Sequence, residues 1–219
     1  MAGGAAAAGL MAYPVEGATG AQVAAGPRAA LSRLLEGNRR FVAGRQRHPR
    51  QSPRRLRDLA DGQRPYAITL GCADSRVAPE LLFDQGLGDL FDNRVAGAVV
   101  DDLVLGSIEY AVEELTPPLL LVLGHERCGA VTATVEAIRT GHTPPGHIAA
   151  VVSTLRRYVE PALDQPGDPV ENGVRAAVRG TAAELVDRSR IVREHVARGS
   201  LAVYGARYDL DTGHVTVLP

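Results

Sequence analysis

Three short apolar runs, each followed by a helix-like stretch, constrain the fold of this chain more than any other feature. They are "YAITLG" (66–71), "DLFDNRVAG" (89–97) and "LLLVLG" (119–124). Near-continuous apolar runs of this length, bounded by glycine and polar residues, read as strands buried on both faces. Between them lie "PELLFDQG" and "DDLVLGSIEYAVEEL", the second carrying Leu103, Ile108, Val112 and Leu115 at helical spacing. Strand and helix alternation of this kind argues for a parallel sheet covered on both faces.

The flanks extend the pattern. Residues 28–42, "RAALSRLLEGNRRFV", have helical spacing interrupted by Gly37 and Asn38, which predicts one helix or two short ones. "GRQRHPRQSPRRLRDLADGQRP" reads as a polar connection with a short helix near 56–60 and its arginines on a solvated face. After the third strand, helices are expected over 129–141, over "IAAVVSTLRRYVE" and over 171–199. The last has an apolar stripe through Val178, Ala182, Leu185, Ser189, Val192 and Val196. "LAVYGARYD" and "HVTVLP", with a turn at 210–213, predict a hairpin at the sheet edge. The expected fold class is therefore α/β, a mostly parallel β-sheet flanked by helices with a C-terminal antiparallel edge hairpin.

A chain of 219 residues, 45% hydrophobic, can bury one real core, and residues 27–219 are expected to form a single domain. Residues 1–26, opening "MAGGAAAAGLMA", read as a low-complexity tail, with a cleavable signal as the alternative. A formal net charge of -1 removes any general pull toward nucleic acid or acidic membrane lipids. No run approaches the roughly 20 apolar residues of a membrane helix. Two cysteines are too few for a disulfide framework and fit a reducing, cytoplasmic setting.

Those two cysteines fall at strand ends. The first strand runs into "GCADSR" (71–76) and the third into "GHERCGA" (124–130), so Cys72, His125 and Cys128 all lie where a parallel sheet collects ligands. If the first and third strands are neighbours, the three side chains face one point. Two thiolates and an imidazole suit a tetrahedral zinc ion, and three protein ligands leave the fourth position open, as catalytic sites do. Two plainer readings stand beside this one: buried small cysteines with a satisfied loop histidine, or a disulfide.

"C-A-D-S-R" followed by "G-H-E-R-C-G" resembles the β-class carbonic anhydrases, which carry C-x-D-x-R and H-x-x-C in this order. The likeness extends from "LLEGNRRFVAG" through "FDQGLGD" and "GSIEYAV" to the final strands. It implies reversible hydration of carbon dioxide to bicarbonate and a proton, by attack of a zinc-bound hydroxide. By the same resemblance Cys72, His125 and Cys128 would be the ligands of one Zn2+ per chain, and Asp74 and Arg76 the catalytic dyad. The guanidinium would hold the Asp74 carboxylate in a bidentate pair, off the metal. Asp74 would be a fourth ligand in a closed state. Gln85 and Tyr110 match substrate-binding positions that serve a site shared across a dimer, and a homodimer or homotetramer is implied. Tyr110 also falls on an apolar helix face, where it would be core.

The chain departs from the family pattern after the second strand, where "RVAGA" (94–98) replaces R-N-x-x-N, and at Arg127, which adds charge beside the proposed metal loop. His142 and His147 in "GHTPPGH" are candidates for proton export only by residue type. Two rival functions remain open from sequence. One is a carbon disulfide or carbonyl sulfide hydrolase on the same scaffold. The other is a non-enzymatic zinc or redox-sensing protein, against which the Asp74 and Arg76 pair argues.

Overall fold

The computed structural model describes residues 26–219; the expected tail, 1–26, lies outside the described residues except for Gly26. The central sheet has five strands, β1 (Ala67–Gly71), β2 (Leu90–Arg94), β3 (Leu119–His125), β4 (Ala202–Tyr208) and β5 (Val215–Val217), in the order β2-β1-β3-β4-β5. The first three pairings are parallel, and β4 pairs with β5 antiparallel, as the sequence predicts.

Side-chain alternation along β1 and β3 sorts the core into two faces. Ile68, Leu70, Leu120 and Val122 pack against α4 (Asp102–Tyr110), α7 (Pro169–Arg188) and α8 (Arg190–Ala197), through Ile108, Val178, Leu185 and Val192. Ala67, Leu119, Leu121 and Leu123 face the other way, onto Leu34 of α1 (Pro27–Val42) and onto Leu82 of α3 (Pro79–Leu82) and neighbouring Phe83. A third cluster lies under the two cysteines, where α5 (Gly129–Thr140), α6 (Ile148–Val159) and α7 meet through Val131, Val135, Leu155 and Val174. The short helix α2 (Pro53–Asp58) starts at the Ser52 cap, whose hydroxyl accepts from Arg55 N–H.

Three local expectations are revised, and one open alternative is decided: α1 is a single helix, unbroken at Gly37 and Asn38. They are contact residues: a Cβ on Gly37 would sit 1.7 Å from the Phe83 carbonyl oxygen. The Asn38 amide donates to the carbonyls of Leu82 and Gly213 and accepts from Val215 N–H. The long helix expected over 171–199 is instead two, because Ser189 leaves helical geometry at φ -98°, ψ 117° and caps α8 by accepting from Val192 N–H. Its hydroxyl also donates to Glu109 at 2.6 Å. A buried serine in an apolar stripe marked a cap, for which serine is favoured.

The strand expected over 89–97 shortens to β2, since Ala96–Ala98 form a 3-10 turn with Gly97 at φ 71°. The polar pair inside β2 is bonded to its neighbours: Asp92 accepts from the Thr69 hydroxyl, and Asn93 accepts from the Ser107 hydroxyl at 2.6 Å. Finally, several arginines expected on a solvated face are anchors. Arg50 pairs with the fully buried Asp89 at 2.7 Å, joined there by Arg33 of α1, and Arg55 is buried and donates to the Leu87 carbonyl.

Candidate metal centre

Strand pairing brings the two motifs together. β1 and β3 are parallel neighbours with Gly71 opposite Leu123, so the residues that follow leave the same edge of the sheet. Cys72 comes directly after β1, His125 is the last residue of β3, and Cys128 is the N-cap residue of α5. Between His125 and Cys128, Arg127 takes a left-handed φ of 50°, a conformation that non-glycine residues hold only where surroundings enforce it. The turn directs both flanking side chains to one point. The donor atoms of Cys72, His125 and Cys128 all lie within 4.8 Å of one another.

The three groups fit a metal ion on chemical grounds. His125 is fully buried and its Nδ1 lies 2.9 Å from the Glu126 carbonyl oxygen. A carbonyl can only accept, so Nδ1 carries the proton and Nε2 keeps its lone pair. That Nε2 is buried without a hydrogen-bond partner, which ordinarily costs about 1–3 kcal/mol. A metal ion relieves this cost, and a backbone carbonyl on the far nitrogen is the usual support of a metal-bound imidazole.

Both cysteines are buried free thiols, which sets aside the disulfide reading. The Cys72 thiol is pulled well below its ordinary range by the neighbouring Cys128 thiol, then by His125 and the Gly97 N–H, which lies 3.4 Å from its Sγ, with burial opposing. Cys128 moves the opposite way, raised by the Cys72 sulfur and by burial. Burial disfavours the imidazolium of His125, but the Cys72 sulfur, the Glu126 carbonyl and Asp74 outweigh it and leave its pKa raised. A pair of thiols that resists sharing two negative charges is the arrangement a divalent cation resolves.

Asp74 and Arg76 stand at the open side. Arg76 donates from Nε to Asp74 Oδ1 at 2.9 Å and from Nη2 to Oδ2 at 2.7 Å, a bidentate pair, with its own N–H adding 2.9 Å to Oδ1. These bonds hold the Asp74 carboxyl well below the usual carboxylate range. Asp74 Oδ2 lies 3.9 Å from His125 Nε2, so the carboxylate flanks the point that the three donors share. Arg94, at the end of β2, donates to the carbonyls of Cys72 (3.1 Å) and Asp74 (2.6 Å), bracketing Ala73. Sequence reading assigned Arg94 no role. Only the β1–β2 register, with Gly71 opposite Arg94, reveals it.

The remaining candidates lie outside this cluster. Gln85 is buried, donates to the Phe83 carbonyl at 2.5 Å, and leaves its Oε1 without a partner. Tyr110 is not core: it is 45% exposed, with its ring 6.3 Å from that of Phe91. His142 and His147 are exposed and follow the C-terminal end of α5, whose opposite end carries Cys128. Twelve helical residues span about 18 Å, too far for direct proton exchange with the centre. A second acidic group, Glu126, Asp209 and Asp211, is neutralised by Arg127 and Arg207.

Fold and centre together define an α/β protein with a buried Cys2His site at the carboxyl edge of a parallel sheet. The carbonic anhydrase family model matches residues 67–215. Carbonic anhydrase 2 of Mycobacterium tuberculosis is 48% identical over 191 residues, covering 87% of this chain and 92% of its own. The carbonic anhydrase of Mycolicibacterium smegmatis is 44% identical over 189 residues, 86% of this chain and 92% of its own. Among solved structures, the Coccomyxa β-carbonic anhydrase in complex with acetazolamide is 30% identical, with a TM-score of 0.67 over 86% of each chain. This chain belongs to the β-carbonic anhydrase family.

Proposed function

We propose that the chain is a zinc-dependent carbonic anhydrase that interconverts carbon dioxide and bicarbonate, with Cys72, His125 and Cys128 holding one Zn2+ and Asp74 and Arg76 forming the catalytic dyad. The observation that carries the reading is the buried, partnerless Nε2 of His125, set among two thiols and flanked by a carboxylate that a guanidinium holds aside. Zinc, when bound, supplies a Lewis acid that lowers the pKa of water at its open position, to about 7 where all the ligands are histidine. Two thiolates offset much of the metal charge, so help from a neighbouring group matters more here.

Asp74 is placed to give that help. Held ionised by Arg76, its carboxylate would accept a hydrogen bond from water or hydroxide at the open position and orient it toward carbon dioxide. Arg76 keeps both carboxylate oxygens engaged and so keeps the fourth position free. Breaking that pair would release Asp74 toward the metal and close the site. Arg94 holds the backbone on either side of Ala73, so the Cys72 sulfur and the Asp74 carboxylate keep their separation.

Gln85 and Tyr110 belong to the reading as substrate-binding residues of a site completed by a second copy of the chain. The exposure of Tyr110 and of Leu103, both on α4, supports such an assembly, a homodimer or a homotetramer. Residues 27–219 act as one catalytic domain. The reading takes the enzyme as cytoplasmic, and no helix among the described residues is long and apolar enough to cross a membrane. The test is hydration of carbon dioxide before zinc removal by a chelator, after removal, and after zinc return. Activity is expected to vanish and recover; hydration that survives complete removal would contradict the assignment.

A further inference from the structure

The support of His125 extends one strand beyond the centre. His125 lies opposite Tyr208 in the β3–β4 register, and Gly124 lies opposite Arg207. Glu126, whose carbonyl accepts the His125 Nδ1–H, is fixed at three further points. Its N–H donates to the Tyr208 carbonyl at 2.9 Å, and its carboxylate accepts from Leu210 N–H at 3.1 Å. The same carboxylate pairs with Arg207 at 3.3 Å.

Arg207 is itself enclosed, its side chain 11% exposed, and it meets two more carboxylates: Glu171 in the first turn of α7 at 3.0 Å and Asp209 at 2.7 Å. One guanidinium thus ties the metal loop to α7 and to the hairpin turn. Its planar, multidentate head suits this in a way an ammonium does not. Arg127, the other arginine on Glu126, is half-exposed, and such surface pairs contribute little.

We propose that Arg207 is a positioning residue of the metal centre, acting through Glu126. It fixes the carbonyl that holds the His125 Nδ1–H and so aims Nε2 between Cys72 and Cys128. The proposal rests on the zinc reading above. Without Arg207 the Glu126 carboxylate faces Glu171 and Asp209 with only the half-exposed Arg127 and the Leu210 N–H to hold it, its hold on β4 loosens, and the imidazole loses its fixed orientation. Removal of comparable outer partners of metal-bound histidines costs about 10- to 100-fold in metal affinity.

The experiment measures zinc release into excess chelator from zinc-loaded full-length protein, comparing wild type, R207M, E126A and the double variant. About tenfold faster release is expected in each single variant. The double variant should release zinc within about twofold of the faster single one, because both changes remove one linkage. In 15N spectra the His125 Nδ1–H signal should exchange with water faster in R207M by a larger factor than the buried Leu121 amide of β3 does, a local change that a general loss of stability would not produce.

A folded R207M or E126A that releases zinc at the wild-type rate overturns the proposal. So does a double variant whose acceleration equals the product of the two singles, which would mean that Arg207 acts through Glu171 or Asp209. If R207M does not fold, the release rate of E126A decides alone. Wild-type protein that takes up no zinc overturns the metal reading and this assignment with it. Zinc held equally well by all four proteins overturns only this assignment.

Discussion

The two strand ends that build the centre are supported in opposite ways. At the β3 exit, His125 and Cys128 are buried, Cys128 packs in the cluster with Val131, Val135 and Val174, the His125 Nδ1–H is met by a backbone carbonyl, and the guanidinium that ties the loop, Arg207, is itself enclosed. At the β1 exit, Cys72 is buried but Ala73, Ser75 and Arg76 are exposed, and the segment is held by guanidinium groups, Arg94 on its carbonyls and Arg76 on Asp74. Packed apolar contacts resist rearrangement, whereas solvent-facing ion pairs exchange partners with water and salt at small cost. The contrast assigns the tasks in the proposed function. In that reading the β3 exit supplies two of the three ligands that would retain the metal, and the β1 exit, besides supplying Cys72, would set whether the fourth position is open.

If the tasks divide this way, substitutions on the two sides should fail differently. The largest effect belongs to the β3 exit. His125→Ala should lose zinc, as read by metal analysis of the purified protein, and hydration should fall at least about 10³-fold with the metal-activated water gone. Next is Asp74 at the β1 exit, where Asp74→Asn should keep its zinc yet lower kcat by about 10²- to 10⁴-fold. Zinc loss in that variant would erase the proposed division.

Arg94→Met should come third, with zinc affinity weakened about tenfold and measured by competition with a chromogenic chelator. Its effect reaches the metal through Cys72 and its effect on rate through Asp74, so a change in only one would show that the clamp acts on one side of Ala73.

The smallest effect is on stability against pH. Asp74 has a folded-state pKa below its unfolded value near 3.9, so its pairing stabilises the fold above about pH 4, and that contribution is lost as pH falls through the folded pKa. Arg76→Ala returns the carboxyl toward its ordinary range. The variant should be less stable than wild type at neutral pH, and the gap should be constant down to about pH 4 and begin to narrow below it, as followed by thermal unfolding from pH 7 to pH 3. A gap that stays constant to pH 3 would show that Arg76 stabilises by packing rather than by charge.

The comparison also explains what was legible in the sequence. Short buried strands alternating with helices set the sheet, and cysteines at two strand ends, three residues from a histidine in one case, mark the candidate centre in the sequence itself. The partners across strands were not legible. Arg94, Glu126 and Arg207 act from neighbouring strands or through backbone carbonyls, and nothing in their local sequence distinguishes them from surface charges. Ser189 shows the converse: hydrophobic spacing carried the helix past it, because periodicity registers burial and not the hydroxyl that caps α8. Gln85 and Tyr110 entered by family likeness, and neither lines the cavity at the three donors.

The central claim is that the Cys72, His125 and Cys128 donors hold a catalytic zinc whose open position Asp74 serves. Stopped-flow hydration of carbon dioxide across pH, with zinc quantified in the same sample, tests it most directly. The account predicts about one zinc per chain and a rate that rises with pH as the active-site water loses its proton. Zinc at that level with no hydration at any pH would contradict it.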